Sequence, residues 1–159
     1  MSRSERPRGL ACMTLLLRRI LLLLTSAIGL FVGAWAAFLP QEFYDSFPGL
    51  GLGPWVGVDG PFNEHLVRDV GALYLGLAAA GIVAAASTGV AASRAVAVAW
   101  IVFSVPHLAY HLQHGEGLDG GNMVAQAISL SSTIVLAVPL LLPDRARKGP
   151  RRDATGALP

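Results

Sequence analysis

Thiols are almost missing from this chain: Cys12 is its one cysteine, so no internal disulfide forms and thiols say nothing about redox compartment. Charge is scarce too. Asp, Glu, Lys and Arg make up 14% of the 159 residues against 53% hydrophobic ones, which is outside the usual range of a soluble domain. Lys and Arg are absent altogether from 41–63 and from 115–121, although these segments hold Glu42, Asp45, Asp59, Glu116 and Asp119. The zinc-protease pattern of two histidines around a glutamate does not occur. Four histidines are also too few for the His-box sets of membrane desaturases and hydroxylases. No serine or cysteine is spaced beside a His–carboxylate pair, which leaves nucleophilic catalysis without support. Whether the chain is an enzyme stays open.

What the chain does have is long apolar runs. Four blocks, 20–39, 66–87, 95–114 and 123–142, each have about the 20 residues that a hydrocarbon core of about 30 Å demands of a helix. No soluble domain fits in the remainder. Arg3, Arg6, Arg8, Arg18 and Arg19 precede the first block, Arg94 lies between the second and third, and Arg145, Arg147, Lys148, Arg151 and Arg152 follow the fourth. The positive-inside rule then predicts an all-α, antiparallel up-down, four-helix transmembrane bundle in the cell (inner) membrane, with both termini cytoplasmic. Residues 1–19 read as a basic tail, 20–142 as the membrane domain and 143–159 as a disordered basic tail. The basic ends suit lipid rather than nucleic acid.

The run before Cys12 is not apolar, so Gly9-Leu10-Ala11-Cys12 is not a lipoprotein site. Ala34-Trp35-Ala36 has the small-x-small form of a signal cleavage site. The apolar run continues through Phe38-Leu39, however, and a retained span is expected. Met13 offers an alternative start. Within the first span Gly29 and Gly33, with Ala37 beyond, let another helix come close, either in the same chain or in a second copy. Loop 40–63 holds Phe43, Tyr44, Phe47, Trp55 and Phe62 among Gly and Pro. It is expected to lie on the membrane or to act as a lid, with one or two helical turns near 41–47.

Polar residues concentrate at one end of the predicted bundle. Asn63 is placed to cap the second span, with Phe62 and Val67 as a hydrophobic staple. At four-residue spacing Glu64 faces Arg68 and His65 faces Asp69. Ser104, His107, His111 and His114 share one face of the third span, and Pro106 is expected to kink it. Asn122, Gln126, Ser129 and Thr133 form a stripe on the fourth. Charged groups at membrane depth cost roughly 2.5–3.5 kcal/mol near a helix centre, so His107 needs a partner; Asp69, Glu64 and Gln126 are the candidates.

Three readings of this constellation stay open. In the first, it binds or relays a proton, a quinone or another small polar ligand. In the second, it holds a metal or haem, through His107 with His111 or His111 with His114, completed from His65, Glu64 or Asp69. His107 and His114 are about 10 Å apart along the axis and cannot share one ion. In the third, the polar residues only hold helices together in a structural subunit, with a membrane protein partner or a second copy beside it.

The run Asn63-Glu64-His65-Leu66-Val67-Arg68-Asp69-Val70-Gly71, followed by His107 and His111 late in the third span, resembles a family of small actinobacterial integral membrane proteins of unknown function. The resemblance covers about 61–119 of the chain. More distantly, the architecture is similar to DoxX-like proteins, some of which are membrane subunits of quinone-linked oxidoreductases. The resemblance implies a four-helix membrane fold and picks out Glu64, His65, Arg68, Asp69, His107 and His111. It supplies no mechanism.

Overall fold

A computed structural model describes residues 13–87 and 89–143; the basic segments before and after lie outside them. Among the described residues there are five α-helices, one 3-10 turn and no strand. They are α1 (Leu15–Phe38), α2 (Pro40–Ser46), α3 (Glu64–Ala86), α4 (Val90–Gln113) and α5 (Gly120–Ala137), which continues as the 3-10 turn Val138–Leu141. Apart from the short α2, these helices are long and apolar enough to cross a membrane. Large side chains such as Leu16, Leu23, Phe31, Val83, Val102, Ile128 and Val135 stand exposed on them, an outer surface that suits lipid and not water.

Side-chain caps set the helix starts. Thr14 accepts from the Leu17 amide at 3.2 Å, Asn63 from Leu66 at 3.1 Å and Asp119 from Asn122 at 3.0 Å, which satisfies amide donors left free in each first turn. These caps explain why α1 begins at Leu15 and not at 20, and α5 at Gly120 and not at 123. The helix α4 likewise starts at Val90 instead of 95 and takes in Ser93 and Arg94. It passes through Pro106 as one helix. Proline at the first position of α2 suits a helix start, where no amide hydrogen is needed.

The α1 and α3 helices pack most closely. A Cβ on Gly29 would meet the Tyr74 carbonyl oxygen at 2.9 Å, and one on Gly33 the Gly71 carbonyl oxygen at 2.9 Å. Ala37 in turn lies against Gly71, so residue numbers rise along α1 as they fall along α3. Gly29 and Gly33 are thus used within the chain. Beside this seam sits a core of Leu22, Tyr74, Leu77, Trp100 and Leu140.

At the far end of the bundle the first and last described residues meet. Met13 donates its amide to the Pro143 carbonyl at 3.0 Å. Arg18, expected in a tail, is instead buried, and its guanidinium donates to the carbonyls of Leu140 at 2.8 Å and Leu142 at 2.7 Å. Arg94 adds a bond to the Leu141 carbonyl at 3.0 Å. Two cations thus cap the negative end of the last helix.

Candidate functional site

The aromatic loop is folded, not splayed. Trp35, Phe43, Phe47 and Trp55 meet edge to face or tilted, with centroids 4.5–6.0 Å apart, a geometry that aromatic quadrupoles favour. The Tyr44 hydroxyl donates to the Gly60 carbonyl at 2.6 Å. The loop is then pinned to α5 by one side chain. The Asn122 amide oxygen accepts from the Trp55 indole at 2.7 Å and from the Gly53 amide at 3.0 Å, while its nitrogen donates to Asp119 at 2.7 Å. The hydrogen bonds from the Asn122 backbone and side chain hold the Asp119 carboxyl below its usual range. Asn122 was expected in a polar stripe; it works as the anchor of the loop. In Asn122→Ala, the two bonds to the loop are lost, at about 1 kcal/mol each, together with the one to Asp119. Hydrogen exchange over 49–60 should then quicken about tenfold or more, with the long helices unchanged; unaltered exchange in the loop would deny the anchor.

Behind the loop lies a cavity of about 410 Å³, within the size range of small-molecule sites. Ile28, Val32, Val67 and Val70 from α1 and α3 give it apolar walls, and Phe43, Phe47 and Trp55 close the loop side. Its polar lining includes His107 and His111 from α4, Gln126, Ser129 and Thr133 from α5, Asn63 at the α3 cap and Asp59 from the loop. Helical spacing explains this placement, since residues three and four apart share a face. Thr133 also donates to the Ser104 hydroxyl at 2.9 Å, which joins α4 to α5 inside the bundle.

Asp59 Oδ2 is 3.8 Å from His111 Nδ1. That is close enough for charge to act but too long for a hydrogen bond. Among the described residues the buried Nδ1 has no hydrogen-bond partner, which is uncommon for a buried polar atom and costly where it occurs. Burial pushes the Asp59 carboxyl up from its usual range, against the pull of His111 and His114. His107 finds none of its expected partners. Its ring stacks on Phe103 at 5.2 Å and meets His111 edge-on at 4.8 Å.

The remaining sequence-predicted residues lie elsewhere. Glu64 pairs with Arg68 at 2.9 Å, and Arg68 also donates to the Ala37 carbonyl at the end of α1. His65 and Asp69 pair at 3.3 Å, with side chains 88% and 61% exposed. His114 stacks on Tyr110 and bonds its carbonyl at 2.9 Å, also exposed. The expected metal sets therefore do not assemble: His65, Glu64 and Asp69 stay on the outer face of α3. Among the described residues no three His, Cys, Asp or Glu side chains converge to hold an ion.

The structure instead adds Asp59, Tyr74 and Tyr110 to the cavity. Asp59 had no periodicity to reveal it, since it sits in a Gly/Pro loop. Compared with protein-family models, curated proteins and solved structures, the chain matches none.

Proposed function

We propose that this is an antiparallel four-span protein of the cell membrane, both ends cytoplasmic, that takes a small lipophilic molecule into the cavity behind its aromatic loop. One observation carries the reading: an apolar cavity of about 410 Å³ with a few polar groups, Asp59 and His111 among them. Support for the orientation comes from the arginines at the α1 start and the acidic, Lys- and Arg-free loops at the opposite end. The cavity then faces the extracytoplasmic side.

The structural-subunit reading has its own support, but on other residues. Glu64, Arg68, His65 and Asp69 satisfy one another or a backbone carbonyl. They stabilise the bundle and leave the cavity groups unexplained.

The test uses protein in lipid nanodiscs and 1-naphthylmethanol, followed by equilibrium dialysis against empty discs. Saturable uptake of one equivalent is expected, and Ser129→Trp, which places an indole in the cavity, should abolish it while the melting temperature holds. Uptake no greater than that of empty discs, or equal uptake by the filled variant, would remove the cavity as a ligand site.

A further inference from the structure

We propose that the ligand is a lipophilic organic cation, an amine with an aromatic or branched body, whose ammonium pairs with the Asp59 carboxylate. The inference rests on the ligand-binding reading above and adds the sign of the ligand's charge. Asp59 is the one carboxylate among the described residues lining the cavity, and no Lys or Arg lines it. The two loops at that end contain neither. Arg68, the arginine nearest in sequence, is held by Glu64 and the Ala37 carbonyl. The cavity therefore disfavours anions, and no permanently charged side chain competes with a cation for Asp59.

Geometry supplies the acceptor. Asp59 lines the cavity with its carboxylate, and Oδ2 stands 3.8 Å from His111 Nδ1 without a hydrogen bond between them. A primary ammonium has three N–H donors, and its bond to the carboxylate is charge-assisted. A cation would also stabilise the ionised form of a carboxyl that burial opposes. Six aromatic side chains, Phe43, Tyr44, Phe47, Trp55, Tyr74 and Tyr110, line the same space. Aromatic rings attract organic cations as well as apolar bodies. A neutral ligand would use the walls alone and leave the carboxylate uncompensated.

Three probes with one ring system separate these cases: 1-naphthylmethylamine, 1-naphthylmethanol and 1-naphthylacetate, dialysed at neutral pH against the protein in nanodiscs of zwitterionic lipid. The amine should bind about tenfold tighter than the alcohol, with the acetate weakest. Asp59→Asn should remove the amine's advantage and spare the alcohol, while Asp59→Glu should keep the original order. If the alcohol matches or exceeds the amine on the unaltered protein, the cation proposal falls and the cavity reading stands. If none of the three binds saturably, both fall. A uniform loss of all three ligands in Asp59→Asn would make Asp59 a support of the loop and overturn its role as counter-charge.

Discussion

Gly71→Ala is expected to destabilise the bundle by about 3 kcal/mol, the upper part of the range for overpacking. The reason is what the added methyl meets. A Cβ on Gly71 would lie 2.5 Å from the Ala37 nitrogen, 2.9 Å from its Cα and 3.0 Å from the Ala36 carbonyl carbon. All three are backbone atoms of α1, so no side chain can rotate away. The helices have to separate, and the neighbouring contacts of Gly33 with Gly71 and Leu75 loosen with them. In a membrane such close packing is a main source of helix association, because lipid offers apolar side chains an equally good surroundings. Gly76 is the matched control: it lies on the same helix, and a Cβ there meets nothing within 4 Å. Thermal unfolding in mild detergent should show a large drop for Gly71→Ala and none for Gly76→Ala. Equal melting temperatures would mean that the α1–α3 seam tolerates a methyl, contrary to this packing.

Arg18→Leu should have an effect of similar size at the opposite end, about 3 kcal/mol. The substitution keeps an apolar stem and removes both donors to the Leu140 and Leu142 carbonyls. Those oxygens belong to the last turn, where no further helix supplies amide donors. Arg18→Lys should recover only part of the loss, since an ammonium lacks the planar fork that reaches two carbonyls together. Arg94→Ala removes one exposed bond, to the Leu141 carbonyl, and should cost about 1 kcal/mol or less. The order Leu, then Lys, then the Arg94 variant, from most to least harmful, can be read from melting curves. A harmless Arg18→Leu would place the guanidinium outside the packed structure.

Hydropathy made the four long helices legible, because each must carry enough apolar residues to span a membrane. Caps were legible where chemistry is local: Asn63 was read correctly from its neighbours. Helix starts were placed late where arginines intervened, since Arg18 and Arg94 read as tail or loop residues by charge alone. Their acceptors, residues 140–142, are far away in sequence and no spacing rule connects them. The site divided in the same way. His107, His111, Gln126 and Thr133 share helix faces and were found together. Helical spacing also selected His65 and Asp69, which pair with each other on the outside; spacing shows who is neighbour to whom and not which way the face points. Asp59 was passed over because the folding of the 47–60 loop depends on the Asn122 anchor, a contact 67–69 residues distant in sequence.

The buried arginine also bears on how the protein is made. The acceptors of Arg18 lie 122 and 124 residues further along the chain, so they reach the membrane only as the last span is inserted. Docking of the last helix buries the guanidinium and joins Met13 to Pro143. Completion of the bundle is thereby tied to arrival of its final helix: a chain stopped before residue 140 has neither of the carbonyls to which the Arg18 guanidinium donates.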